Sequence, residues 1–183
     1  CFHLKTNFPD LIIFRGSEND VLDRYCRAIE DFDFNTTVVR ITADCPLVDP
    51  DLLDEMLISF FEQELEYLSN TIDPSFPDGY DVEIFKKYKL IEANEISIDK
   101  FDHEHVTPYL KRNSKSFNFS NRMGDFSRFR ATLDERSDLE FFKSISKLID
   151  LQTLNFRQFC NFIEKNYHNY SNQNLKRDEG STM

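Results

Sequence analysis

Tryptophan is absent and glycine occurs only four times in 183 residues, so there is no glycine-rich low-complexity segment. Core volume must come from another large side chain, and phenylalanine, with 19 copies, supplies it. The four cysteines, Cys1, Cys26, Cys45 and Cys160, form no Cys-x-x-Cys pair and sit in apolar settings, which argues against a disulfide framework and for reduced, buried thiols. Positive charge is also scarce. Against 33 Asp and Glu stand 22 Lys and Arg, a formal net charge of −11, which argues against a nucleic-acid partner. An acidic chain still binds a nucleotide where a divalent cation and a few local Arg or Lys offset the repulsion. No apolar run approaches the roughly 18–20 residues of a membrane span and no signal peptide is visible, so a cytoplasmic protein without a membrane partner is expected. A Gly-x-Ser-x-Gly elbow and a His-Glu-x-x-His pattern are both missing, which leaves serine-nucleophile and zinc-protease chemistry unsupported. His103-Glu104-His105 does not replace them, because residues i and i+2 of a helix point to different faces and no cysteine lies nearby.

What is present alternates strand and helix. Val38 to Ile41 is β-branched and apolar, as in a strand buried on both faces, and Asp44-Cys45-Pro46 turns the chain toward an amphipathic helix over Asp51 to Phe61. Leu11 to Phe14 reads as a short buried strand. It is followed by a loose capping box at Ser17 and Asp20 and by helical spacing from Val21 to Phe32. Further strands are expected at Tyr67–Asn70, Phe117–Ser120 and Phe129–Leu133, with Asp81–Phe85 alternating as a half-exposed strand should. Helices follow over Tyr88–Glu95, from Asp134-Glu135-Arg136-Ser137 onward, and over Asn155–Tyr167. This is the pattern of an α/β domain over residues 1–150, with a carboxy-terminal helix and a loosely held polar tail over 151–183.

Two acids stand just past predicted strands. Open α/β sheets bind ligands beyond the carboxyl ends of their strands, so Asp44 and Asp134, if their strands are neighbours, could share one divalent cation. Each has a plainer reading, Asp44 as a turn residue and Asp134 as an acid at a helix amino terminus. Arg15, Arg24 and Arg40 suit phosphate oxygens through their guanidinium forks, and equally suit surface ion pairs in an acid-rich chain.

The segments Phe14-Arg15-Gly16-Ser17 with Asp20-Val21-Leu22 and Arg24-Tyr25, Val39 to Pro50, Phe76 to Phe85, His103 to Tyr109 and Thr132-Leu133-Asp134-Glu135 occur in a familiar order. Together with Lys176-Arg177-Asp178-Glu179-Gly180 they resemble the spore-coat polysaccharide biosynthesis protein F family, cytidylyltransferases related to the CMP-sialic acid and CMP-3-deoxy-manno-octulosonate synthetases. The resemblance implies a Rossmann-like nucleotide-diphospho-sugar transferase fold with a mixed, mostly parallel sheet flanked by helices. It implies transfer of CMP from CTP to a sugar or sugar acid for surface polysaccharide synthesis, with pyrophosphate released, Mg²⁺ as cofactor and a homodimer as the possible assembly. On it, Asp44 and Asp134 hold Mg²⁺ and are the catalytic pair. Arg15, Gly16, Ser17, Arg24 and Arg40 face the nucleotide, while Asp78, Gly79, Asp81, Glu104 and His105 face the sugar. The family's first strand and its basic loop, Gln-Ala-Arg-x-x-Ser-x-Arg-Leu-Pro-x-Lys, have no counterpart, so the chain reads as a fragment expected to bind CTP poorly and to expose a sheet edge. The competing readings are a metal-dependent glycosyltransferase of the same fold and a non-catalytic domain of the polysaccharide pathway.

Overall fold

Val38-Val39, Tyr67-Leu68 and Ile84-Phe85 are apolar pairs, and successive residues of a strand point to opposite faces, so each pair feeds both sides of a sheet. The computed structural model, which describes residues 2–175, builds that sheet from β1 (Thr37–Arg40), β2 (Tyr67–Ser69), β3 (Glu83–Lys86) and β4 (Ser116–Asn118) in the order β1-β3-β2-β4. β3 is antiparallel to β1 and β2, and β2 is parallel to β4. Three strands therefore run one way and β3 runs against them: the sheet is mixed, as expected, but two of its three pairings are antiparallel.

Register assigns the faces. Val39 and Leu68 both lie opposite Ile84, and Val38 and Tyr67 both lie opposite Phe85. The Leu68–Ile84 side packs with Met56 and Phe60 of α3 (Pro50–Glu62), Phe141 and Ile145 of α7 (Arg136–Ile145), and Phe159 and Ile163 of α8 (Phe156–Asn166). α1 (Phe2–Asn7) opens the described chain, and the Tyr67–Phe85 side packs with Leu22 of α2 (Val21–Ala28), Leu90 and Ala93 of α4 (Lys87–Ile96), Val106 just after α5 (Lys100–His105), and Leu110 of α6 (Pro108–Asn113). Phe60, Phe76, Phe129 and Phe159 are buried in the larger core, each worth about 1.5–3 kcal/mol relative to exposure. α8 belongs to that core, so residues 156–166 are integral to the domain. One carboxylate ties them in: Asp49 Oδ1 caps α3 by accepting from the Asp51 N–H at 2.9 Å, and Oδ2 accepts from the Phe156 N–H at 2.6 Å.

Several expectations are corrected. Leu11–Phe14 is not a strand: no ladder reaches it and Ile12 is 80% exposed, and an apolar run becomes a buried strand only where a partner strand and a core face meet it. β1 is half-buried along its length rather than buried on both faces, since within the described sheet it lies at an edge. β3 is the reverse case. It sits between β1 and β2, so Glu83, on the same face as Phe85, is only 5% exposed. α2 ends at Ala28, leaving Phe32 outside it and exposed. Phe129–Leu133 is extended but forms no ladder: its strand-type pairing, among the described residues, is an isolated parallel bridge between Asp78 and Arg130. Residues 171–174 are not loosely held, for they form a 3₁₀ turn in which Asn172 is wholly buried. Cys1 and the motif from Lys176 to Gly180 lie outside the described residues. Among the described residues Cys26, Cys45 and Cys160 are free thiols, and no helix is long and apolar enough to cross a membrane.

Candidate active site

β1 and β2 run in the same direction, so their carboxyl ends lie at one end of the sheet, and β3, running against them, begins there. Arg40 closes β1 and is followed by Thr42 and Asp44; Thr71 follows β2; Asp78, Asp81 and Glu83 lead into β3. With Arg130, Thr132 and Asp134 from the extended segment, and His105, Thr107 and Lys111 around α5 and α6, they line a cleft of about 170 Å³.

Asp44 and Asp134 reach this cleft together because the Leu133 N–H donates to the Asp44 carbonyl at 2.8 Å. Neither carboxylate is needed locally. The turn after β1 is closed by the Cys45 N–H to the Thr42 carbonyl at 3.2 Å, and among the described residues the Asp44 carboxylate receives only the Cys45 thiol, at 4.0 Å. Capping at α7 falls to Asp138, whose Oδ2 accepts the N–H groups of Asp134 at 3.1 Å and Glu135 at 2.9 Å.

Two buried ionic networks brace the cleft. In the first, Arg130 makes a fork to Asp138 (Nε to Oδ1 2.9 Å, Nη2 to Oδ2 2.8 Å) and also reaches Asp78 at 3.1 Å. Burial pushes the Asp138 carboxyl up, but the guanidinium and the two backbone N–H groups outweigh it and hold its pKa below the ordinary value. In the second, Glu83 pairs with Arg40 and accepts from the Tyr67 and Thr107 hydroxyls, each at 2.6 Å. Its pKa is likewise lowered: burial opposes ionisation, and Arg40, Lys111 and the two hydroxyls prevail.

The charges do not balance. Five carboxylates (Asp44, Asp78, Asp81, Glu83 and Asp134) face three permanent cations (Arg40, Lys111 and Arg130), and Asp138 stands behind Arg130. A polyphosphate entering such a cleft needs a divalent cation with it. The donor set fits Mg²⁺, a hard ion usually held by one or two carboxylates while phosphates and water complete its shell. It does not fit a metal held wholly by protein, since among the described residues no group of three or more His, Cys, Asp or Glu is placed to hold one.

The profile of the family described as "Cytidylyltransferase" matches residues 4–173. The chain belongs to the cytidylyltransferase family. It is similar to a solved cytidylyltransferase from Leptospira borgpetersenii serovar Hardjo-bovis, with a TM-score of 0.82 and 32% identity over 95% of this chain and 74% of that one. It is 34% identical over 139 residues to the spore coat polysaccharide biosynthesis protein SpsF of Bacillus subtilis, covering 73% of this chain and 56% of the relative. It is 32% identical over 162 residues to the uncharacterized protein MJ1063 of Methanocaldococcus jannaschii, covering 84% of this chain and 63% of the relative. The chain thus spans less than two thirds of the length of these two curated relatives.

Not every candidate residue of this cytidylyltransferase-family chain reaches the cleft. Arg40, Asp44, Asp78, Asp81, His105 and Asp134 line it. Arg15, Gly16 and Ser17 are exposed and outside it, and Arg24 is engaged by the Ser17 carbonyl at 2.8 Å. Gly79 lies beneath the cleft against the backbone of Ala131 and Thr132. Glu104 is exposed beside a separate depression with Lys100 and His103. Residues that sequence reasoning passed over, Thr42, Thr71, Glu83, Thr107, Lys111, Arg130 and Thr132, supply much of the lining. For Glu83 a signal existed, since it falls two residues after Asp81.

His103 has a different task. Nδ1 is 2.9 Å from Asp20 Oδ1, the cap of α2, and Nε2 is 3.0 Å from the Ser97 carbonyl, so both ring nitrogens face acceptors and only the imidazolium satisfies both. The hydrogen bond to Asp20 is the main cause that raises the His103 pKa. A raised folded pKa means that this stabilisation is complete below the unfolded value of about 6.5 and is lost as pH rises through the folded value. Urea unfolding of wild type and His103→Gln should therefore differ most in mildly acid solution and converge at alkaline pH; a gap independent of pH would remove the charge from the contact.

Proposed function

We propose that this cytidylyltransferase-family chain serves transfer of a cytidylyl group from CTP to a sugar or sugar acid for surface polysaccharide synthesis. A sugar hydroxyl oxygen bonds to the α-phosphorus, the bond from that phosphorus to the bridging oxygen breaks, pyrophosphate leaves and the hydroxyl proton is released. The observation that carries the reading is the main-chain bond from Leu133 to Asp44, which brings two uncommitted carboxylates, Asp44 and Asp134, to one acidic cleft beyond the strand ends. Asp44 and Asp134 are the residues to hold Mg²⁺, which when bound offsets the charge of the phosphate oxygens. Arg40 and Arg130 are held by their ion pairs, so they act as fixed positive charges in the wall and need no reorganisation when the phosphates enter. Asp81 and His105, on the rim of the same cleft, are assigned to the sugar. Positioning supplies most of the rate in such a displacement.

The test is pyrophosphate release from CTP and Mg²⁺ with a panel of sugars and sugar acids, run on this chain and on the complete gene product. Asp44→Asn and Asp134→Asn should each lower kcat/KM by at least about a hundred-fold, some 3 kcal/mol of lost transition-state stabilisation. Full activity in either variant would overturn the assignment, and release of a nucleoside diphosphate in place of pyrophosphate would point to a glycosyltransferase.

A further inference from the structure

The segment that carries Asp134 is held on both edges, and one edge is a side chain. Its parallel bridge to Asp78 uses the carbonyl of Phe129, which accepts the Asp78 N–H at 2.9 Å, and the N–H of Ala131, which donates to the Asp78 carbonyl at 2.6 Å. In an extended chain the intervening residue turns its own N–H and C=O to the opposite edge. There the Gln173 amide meets them: the Arg130 N–H donates to Gln173 Oε1 at 2.9 Å, and Gln173 Nε2 donates to the Arg130 carbonyl at 2.7 Å. Gln173 does for Arg130 what a neighbouring strand would do. The adjacent Asn172, wholly buried, donates to Asp138 Oδ1 at 3.2 Å, and Asp138 is the carboxylate that grips the Arg130 guanidinium and the Asp134 N–H.

We propose that Gln173, seconded by Asn172, is a positioning residue that fixes the Arg130-to-Asp134 wall of the cleft and thereby the geometry with which Asp134 meets a divalent cation. The proposal rests on the reading of Asp44 and Asp134 as the cation-binding pair. Groups bonded to a metal ligand commonly change metal affinity by about ten- to a hundred-fold when removed, and Gln173 acts on Asp134 one step further out, through the Arg130 main chain, so the lower end is expected. Gln173 is half-buried and lies outside the hydrophobic core, so its loss is expected to loosen this wall rather than the domain.

The experiment uses Mn²⁺ as the probe, titrated into the protein and followed by water-proton relaxation, with hydrogen exchange and thermal unfolding measured on the same samples. Gln173→Met keeps the length of the side chain and removes its amide. It should weaken Mn²⁺ binding about ten-fold and speed exchange at the amides of residues 130–135, while those of β1 and β3 stay protected. Gln173→Glu keeps the acceptor for the Arg130 N–H and opposes the Arg130 carbonyl with a second acceptor. It should give the same local signature, and it serves if Gln173→Met does not fold. Asp44→Asn separates the two layers of the argument. If Asp44→Asn abolishes Mn²⁺ binding while the Gln173 variants bind within about twofold of wild type, the positioning role is overturned and the cation pair survives. If Asp44→Asn binds Mn²⁺ as wild type does, the cation pair falls and the proposal with it.

Discussion

Gly79→Ala should lower the free energy of unfolding by about 3–5 kcal/mol, a large part of the 5–15 kcal/mol typical of a domain, and at the upper end should prevent folding. Two causes add. Gly79 has φ +103°, a conformation that an L side chain enters only with strain. A Cβ built there would also lie 2.4 Å from the Ala131 carbonyl carbon and 2.6 Å from the Thr132 nitrogen, both backbone atoms that no rotamer change can move. The displaced strand would be the one that carries Arg130, Thr132 and Asp134, so the cleft would open along with the core. Gly124 isolates the first cause. It too has a positive φ, +121°, but nothing lies within 4 Å of its Cβ position, so Gly124→Ala should show only the strain, about 1–3 kcal/mol. Urea unfolding followed by circular dichroism measures both. Equal losses in the two variants would mean that the Ala131 backbone yields easily and that the close approach at Gly79 matters little.

That Asp44 and Asp134 line one cleft is legible because the end of an extended apolar run is a positional signal: the run is marked by its residues, its end by a turn or a helix start, and an acid there stands out. Arg130 carries no such mark, and Glu83 only its spacing of two from Asp81. In a sequence, a Glu alternating with apolar residues and an Arg between Phe129 and Ala131 read as the outward side of a half-exposed strand, and only the arrival of Arg40, Thr107 and Asp78 from distant segments turns them inward. Burial of a charge depends on its partner, and the partner here lies 43 residues away for Glu83 and 52 for the Asp78 end of the Arg130 network. Leu11–Phe14 fails for the opposite reason: its apolar pattern is genuine, but a strand also needs a ladder and a face to bury. The helices α3 and α8 are placed to within a residue, and the start of α7 to within two, because their period and their capping residues are local properties. Gln173 belongs to the same class as Glu83, a polar residue in a polar stretch whose role exists only once Arg130 lies beside it.

Arg130→Met should cost about 3–5 kcal/mol near neutral pH, because it removes a cation shared by two buried carboxylates. Methionine fills the space, so the loss is electrostatic and not a cavity. Asp138, wholly buried, would keep the N–H groups of Asp134 and Glu135 and the Asn172 amide, but these dipoles would then stand alone against desolvation. Arg130→Lys should recover only part of the loss, since one ammonium cannot make the fork to Asp138 and also reach Asp78. The pH dependence distinguishes this account from a packing defect. In the wild type the Asp138 pKa is depressed, so its contribution is present above the unfolded Asp value of about 3.8 and is lost only as pH falls through the folded value. Without the guanidinium, burial dominates and the pKa rises above the unfolded value, so protonation relieves the variant well before it touches the wild type. The gap in unfolding free energy should therefore narrow as pH falls from neutral toward about 3.8, before the wild-type carboxyl titrates. Arg130→Met combined with Asp138→Asn removes the stranded charge directly and should be more stable near neutral pH than Arg130→Met alone. A gap that stays constant with pH, or a double variant worse than the single one, would show that Arg130 acts through packing and that the buried charges at this wall are compensated by other groups.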